Sequence, residues 1–200
     1  GLSASGVERL KAAARTSEEA GAAPYLRYAN TPSGISPMAI PGTPGVTYTA
    51  DGLTHNQQGL PVSGATDHRL QLDKRARKLA GFDYGAYWAD AEGRGELAVI
   101  TFGSCTGSVR EAVERARAEG IDARWISLRL LAPTRPADMA RLLDGVRRLL
   151  VVEQNHTGQL RRYLRADYEL ACVVRGLCRP GPLPIRPGEI LQAMREWEKP

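Results

Sequence analysis

Leu97-Ala98-Val99-Ile100-Thr101-Phe102, followed at once by Gly103-Ser104-Cys105-Thr106-Gly107, is the stretch whose reading decides the fold. The first six residues form a short apolar, β-branched run, the composition of a strand buried on both faces. The glycine-bounded turn then leads into a helix. Val109, Ala112, Val113 and Ala116 mark the buried stripe of that helix, and Gly120 stops it. The pattern then repeats. Residues 123–130 read as a second strand with Trp125 in its first half. Thr134 and Pro136 open a second helix carrying Met139, Leu142 and Leu143. Residues 148–152 form a third strand, which runs into Glu153-Gln154-Asn155-His156-Thr157-Gly158-Gln159-Leu160. Residues 96–160 are therefore a β-α-β-α-β unit, which requires parallel pairing and right-handed crossovers. The predicted class is α/β, a three-layer αβα domain with a mostly parallel sheet. Loops that follow the strands gather on one edge of such a sheet. Ser104 and Asn155 are thus expected to be near neighbours, on the edge where function is sought.

Composition narrows the classes. Two hundred residues suit one domain with an extension, or two small domains, and 42% hydrophobic residues supply one sizeable core. The net charge of +5 raises the question of nucleic acid. However, 23 of the 27 basic residues are arginine, dispersed among glutamates as in Arg110-Glu111-Ala112-Val113-Glu114-Arg115. That is the pattern of solvated helix faces with i,i+4 pairs, and no nucleic-acid partner is expected. No stretch approaches the roughly 20 apolar residues of a membrane span, so no membrane partner is expected either. Cys105, Cys172 and Cys178 are odd in number and form no CxxC pair. They read as reduced thiols of a cytoplasmic protein, without a disulfide framework or a four-thiolate cluster. The chain starts Gly-Leu without Met, as expected of a processed product or a piece of a longer polypeptide.

Outward from the central unit, residues 1–23 carry too few apolar side chains to fold alone and read as a linker or the tail of an upstream domain. Residues 24–65 are dense in proline and glycine, which permit neither a long helix nor a central strand. Tyr25, Tyr28, Ile35, Met38, Ile40 and Tyr48 nonetheless give them apolar anchors. The segment is predicted to be an ordered arm whose partner surface lies largely outside this chain. Residues 69–79 return to helix, with Leu72, Ala76 and Leu79 on the apolar stripe and Asp73 within reach of Arg77. Lys74-Arg75-Ala76-Arg77-Lys78 then reads as a basic exposed face. Residues 91–95 read as a turn. Beyond Leu160 a helix is predicted to about residue 174, with Leu160, Leu164 and Ala171 inward. A short edge strand is expected within residues 176–184. A last helix from Pro187 carries Ile190, Leu191, Met194 and Trp197 as its buried stripe.

Chemistry-bearing groups are sparse. Gly103, Ser104, Thr106 and Gly107 sit where a helix N-terminus meets a strand end, a weak anion-binding candidate. The pattern is neither GxGxxG nor GxxxxGK[ST], and a tight turn that needs glycine explains it as well. Glu153 and His156, just past the third strand, offer an acid-base pair. Asn155 and Thr157 could instead satisfy the turn and cap the next helix. His55, His68 and His156 have no metal-ligand spacing, and no metal site is expected.

Four separated motifs in order resemble a known family: Gly34-Ile35-Ser36-Pro37-Met38-Ala39-Ile40-Pro41-Gly42, residues 48–59, residues 73–79 and residues 151–160. From about residue 24 onward the chain is similar to the C-terminal third of the alpha subunit of 2-oxoacid:ferredoxin oxidoreductases, most closely the 2-oxoglutarate type. The resemblance implies a thiamine diphosphate enzyme that oxidatively decarboxylates a 2-oxoacid with coenzyme A to acyl-CoA and CO2, sending electrons to ferredoxin. It implies that thiamine diphosphate, Mg2+ and a [4Fe-4S] cluster are held mainly by a partner beta subunit, with none bound by this chain alone. The rest of the alpha subunit would be a further partner. By the same resemblance, residues 24–93 are the end of a preceding pyrimidine-type domain with its connecting helix. Residues 94–200 are a transketolase C-terminal-like domain. The family residues carried over are Ser36, Pro37, Pro41 and Gly42 in the arm, His55 in the next loop, and Glu153, Asn155 and Gly158 at the strand edge. They would line or support a cleft between subunits, His156 would reach the same region, and none is assigned a catalytic step. One departure stands out: the motif carries an arginine after Ser-Pro where this chain has Met38. The alternatives are the terminal domain of another thiamine enzyme, of transketolase or branched-chain dehydrogenase beta type, or a non-catalytic oligomerisation module.

Overall fold

The structure, a computed structural model, describes residues 14–15, 24–40 and 42–198. In chain order the elements are β1 (Ala14–Arg15), β2 (Met38–Ala39), α1 (Ala65–Ala80), a 3-10 turn (Gly85–Trp88), β3 (Ala89–Glu92) and β4 (Leu97–Phe102). A 3-10 turn (Gly103–Cys105), α2 (Thr106–Ala118), β5 (Ala123–Leu128), α3 (Pro136–Leu142) and β6 (Arg148–Glu153) follow. The chain continues through α4 (Gln159–Asp167), β7 (Val173–Cys178) and α5 (Pro187–Glu198). The elements fall into two units that divide between Asp83 and Tyr84.

The second unit is the predicted α/β domain. Its sheet runs β3-β5-β4-β6-β7, parallel throughout except for β3. In β4, Leu97 to Thr101 are all buried because the strand is covered on both faces. Leu97 and Val99 pack with Val109, Val113, Ile190 and Met194, which places α2 and α5 on one face. Ala98 and Ile100 pack with Met139, Leu160 and Leu164, which places α3 and α4 on the other. The three layers, the two inner crossovers and the buried stripe of α5 match the sequence reading.

Three expectations in this unit are corrected. Residues 91–95 are not simply a turn, because Ala89 to Glu92 pair antiparallel with β5 from Leu128 to Trp125. Their lack of apolar side chains hides an edge strand that is secured from its tip. There the Glu92 carboxylate accepts from Arg117 Nη1 at 2.9 Å and from Trp125 Nε1 at 3.3 Å. Residues 84–93, grouped with the arm in the sequence reading, therefore belong with the sheet. The helix after Leu160 ends at Asp167, not near residue 174. Tyr168 turns extended and buries its ring, and its hydroxyl accepts from the Arg135 amide, so Ala171 lies beyond the helix. The edge strand accordingly begins at Val173, opposite Arg148, earlier than residues 176–184 suggested.

In the first unit β1 pairs parallel with β2. The remainder of residues 1–23, read as a linker or tail, lies outside the described residues. Part of the arm lies against α1 of its own chain, while the anchors Met38 and Ile40 remain 44% and 56% exposed. Gln71 Nε2 and Lys74 Nζ both donate to Tyr28 O, at 2.9 and 3.0 Å. Gly34 makes the close approach possible. Its φ is +75°, and a side chain there would collide with the backbone of Lys74 and Lys78. The buried side of α1 is thus Gln71 and Lys74, whereas Leu72 and Leu79 are each 47% exposed. The apolar periodicity pointed to the wrong face because what this helix covers is backbone carbonyl, which calls for donors. Asp73 is not the partner of Arg77 in this arrangement; Arg77 Nη2 donates to Asn30 Oδ1 and to Thr31 O.

Candidate functional site

At the carboxyl edge of the sheet, β4 and β6 are direct neighbours, and the helices that follow them go to opposite faces. That is the switch point of a doubly wound sheet, the place where such folds open a crevice. The two loops approach each other there through the Cys105 thiol and the Gln154 backbone. Burial pushes the Cys105 thiol up, and hydrogen bonds with Ser104, the Gln154 backbone and Thr101 draw it partly back.

Glu153 decides what the β6 loop does. Its carboxylate is buried and accepts from Leu160 N at 2.6 Å and from Arg161 N at 3.0 Å. It also accepts from Asn155 Nδ2. Asn155 Oδ1 in turn accepts from Gly158 N at 2.8 Å and Gln159 N at 3.3 Å. These are the first amides of α4, which otherwise have no acceptor. Gly158 stands at the entry with φ +67° and ψ 50°, the left-handed region that favours glycine. The chemistry of this centre is helix capping by a carboxylate on the positive end of the helix dipole. The acid-base pair is corrected: His156 is exposed, and no hydrogen bond joins it to Glu153. Thr157 is exposed too, so Asn155 and Glu153 carry the cap that had been shared between Asn155 and Thr157.

The turn after β4 is similarly occupied. Gly103 has φ +76°, and Thr106 Oγ1 donates to Gly103 O at 2.7 Å while lying 2.7 Å from Ser127 Oγ. Gly107 has open space where a side chain would stand, so no close approach demands glycine there.

The first unit holds a second polar centre, built on Tyr28. Its ring stacks on His55 at 4.8 Å, and the Arg27 guanidinium lies 5.3 Å from the ring centroid. Lys74 Nζ is 5.8 Å from the same centroid. Lys74 Nζ also donates to Ser36 Oγ at 2.8 Å, and Ser36 Oγ donates to Ala29 O at 2.9 Å. Pro37 O accepts from Tyr25 Oη and Arg27 Nη1, both at 3.3 Å. Ser36 and Pro37 are therefore held from both sides. His55 is buried, with Nε2 3.3 Å from Asp51 Oδ1 but misdirected for a hydrogen bond. Gly42 has φ +89° and open space around it, and Pro41 lies outside the described residues. Lys74, Arg27 and Gln71 were missed in the sequence. The available signal was the i,i+3 spacing of Gln71 and Lys74 on a helix that follows a carbonyl-rich arm.

Residues 95–179 match the family model for pyruvate:ferredoxin oxidoreductase core domain II. Over 151 residues the chain is 33% identical to 2-oxoacid:ferredoxin oxidoreductase 2, subunit alpha, of Aeropyrum pernix, a match covering 72% of this chain and 23% of that protein. The 2-oxoglutarate oxidoreductase subunit KorA of Mycobacterium tuberculosis is 35% identical over 133 residues, which are 66% of this chain and 20% of that one. The chain is similar to the alpha subunits of 2-oxoacid:ferredoxin oxidoreductases over about 70% of its own length. Among solved structures, the chain is similar to a chain of the 2-oxoglutarate:ferredoxin oxidoreductase from Magnetococcus marinus, determined with 2-oxoglutarate, coenzyme A and succinyl-CoA bound. It matches with a TM-score of 0.72 and 34% identity, over 88% of this chain and 31% of that one. The chain thus spans about a quarter of the length of such curated alpha subunits. No described helix is long and apolar enough to cross a membrane.

Proposed function

We propose that this chain is the C-terminal portion of the alpha subunit of a cytoplasmic, thiamine diphosphate-dependent 2-oxoglutarate:ferredoxin oxidoreductase. The enzyme would convert 2-oxoglutarate and coenzyme A to succinyl-CoA and CO2 and pass the electrons to ferredoxin. The observation that carries this reading is the Magnetococcus marinus match, which covers 88% of the chain at 34% identity.

Among the described residues, no group of three His, Cys, Asp or Glu side chains could hold a metal ion. These residues do not fit an iron-sulfur cluster or the Mg2+ of thiamine diphosphate. The reading therefore assigns those groups to the beta subunit and no step to this chain. What this chain would contribute is form. Ser36, Pro37, Pro41 and Gly42, with His55 behind them, would shape one wall of the cleft. Glu153, Asn155 and Gly158 would fix the loop at the sheet edge where the beta subunit and the rest of the alpha subunit assemble, with His156 exposed beside it. Gly103, Ser104, Thr106 and Gly107 would complete that edge.

The test is co-expression of the chain, within its full alpha subunit, with the beta subunit. The purified complex is then assayed for coenzyme A-dependent ferredoxin reduction with 2-oxoglutarate and with pyruvate. Succinyl-CoA formation with a preference for 2-oxoglutarate is expected. Preference for pyruvate would overturn the substrate assignment, and a complex without thiamine diphosphate would overturn the enzyme class.

A further inference from the structure

Lys74 is 5% exposed, yet its ammonium meets two neutral oxygens, Tyr28 O and Ser36 Oγ, and the Tyr28 ring, and makes no ion pair among the described residues. Buried charges are ordinarily paired, because an unpaired one is strongly disfavoured away from water. Holding the Tyr28 carbonyl does not call for a charge, since Gln71 does the same one turn earlier with a neutral amide at 2.9 Å. The charged groups that act on Lys74 are all cations: Arg75, Arg27, Lys78 and Arg77. Arg27 lies over the Tyr28 and Tyr48 rings and likewise makes no ion pair among the described residues. Its Nε is shielded from solvent and has no acceptor, although Nη1 reaches Pro37 O. An ammonium donates three hydrogen bonds and a guanidinium five, so both retain unspent donors beside the Ser36–Pro37 peptide.

We infer that Lys74 and Arg27 form the base of a binding site for a small oxyanion, a carboxylate or phosphate group seated beside Ser36 and Pro37. Arg27 offers a planar fork suited to two oxygens of such a group, and Lys74 offers a point charge with one donor in reserve. His55 stacks on the same Tyr28 ring, 3.3 Å from Asp51. Burial and the neighbouring cations push Lys74 down to about 8, and a bound anion would reverse that shift by favouring the ammonium. The site itself stands without the proposed function, which guides only the choice of two probes.

The test titrates the whole chain with inorganic phosphate, 2-oxoglutarate and coenzyme A at constant ionic strength. Binding is followed by calorimetry and by NMR of the lysine side-chain methylenes. Expected are millimolar or tighter binding of at least one probe, a shift of the Lys74 signals, and at least a tenfold loss of affinity in Arg27→Gln and in Lys74→Met. The charge of 2-oxoglutarate is constant near neutral pH and above, so its affinity should fall as pH rises through about 8, where Lys74 loses its proton. Phosphate and coenzyme A binding without 2-oxoglutarate would assign the site to a phosphate-bearing ligand, and the converse to a carboxylate. Absence of binding by all three probes would overturn the inference, as would undiminished affinity in both variants. If either variant fails to fold, the wild-type Lys74 signals decide: binding that leaves them unmoved also overturns it. Because phosphate alone can reveal the site, its loss is distinguishable from a failure of the 2-oxoglutarate assignment.

Discussion

Glu153→Gln isolates the cap at the sheet edge. The wild-type carboxylate accepts through both oxygens: Leu160 N and Asn155 Nδ2 converge on Oε2, and Arg161 N reaches Oε1. Glutamine keeps the shape but replaces one oxygen with an NH2 donor. Whichever way the amide turns, a donor then faces a donor at the start of α4. A buried N–H left without an acceptor costs about 1–3 kcal/mol. Removing the negative charge from the helix N-terminus adds about 0.3–1 kcal/mol. The expected loss is therefore about 1.3–4 kcal/mol, or about 5–16 °C in melting temperature for a unit of this size. Urea unfolding followed by circular dichroism measures the first, and a thermal scan the second. In the assembled enzyme, turnover per folded complex should match wild type, because the carboxylate is fully occupied by its own backbone. A stability loss below about 0.5 kcal/mol would refute the capping argument, since surface substitutions alone reach that size. Normal stability with reduced turnover would instead make Glu153 a functional group.

His156→Ala, exposed and unbonded to Glu153, should change stability by less than about 0.5 kcal/mol in the same assay. Gly34→Ala combines a positive φ with a collision against the α1 backbone, and should free the arm from α1, read as faster proteolysis within residues 24–65. Arg124→Met leaves Gly95 O, Arg94 O, Leu142 O and Asp144 O without their shared buried donor, and should cost about 2–4 kcal/mol in urea unfolding. Lys74 sets a pH dependence of the first unit: its value of about 8 lies below the ordinary 10.5, so the unfolded chain holds the proton more firmly between those limits. Stability should therefore be flat below about 8 and rise toward 10.5, and Lys74→Met should remove the rise.

What could be read from the sequence follows from how much of each element is buried. β4, β5 and β6 are covered on both faces, so their composition alone announces them. Helix α5 buries Ile190, Leu191, Met194 and Trp197 as its spacing requires. The sheet-edge motif at residues 153–158 was also visible as a polar turn after a buried strand. Its partners were not, because Glu153 reaches amides seven and eight residues ahead and a backbone donor leaves no trace in the side-chain pattern. β3 was hidden for a related reason: an edge strand of Ala89, Asp90, Ala91 and Glu92 has little to bury and is fixed by its neighbours.

The two polar centres differ in one respect that separates fold from function. At the sheet edge, both oxygens of Glu153 and the side-chain oxygen and nitrogen of Asn155 are all engaged by the loop they stabilise. A ligand arriving there would have to displace bonds the fold needs. On the arm, the opposite holds. Gln71 already serves the Tyr28 carbonyl, yet a buried ammonium joins it, and an arginine beside the same ring keeps a shielded nitrogen without an acceptor. The Tyr28 and Tyr48 rings offset only part of the cost of that positive charge, because a buried cation without an anion raises the free energy of the compact state. A chain that retains it has a use for an anion at Ser36–Pro37. The arm, despite its lack of regular structure, is therefore the part of this chain where ligand recognition belongs.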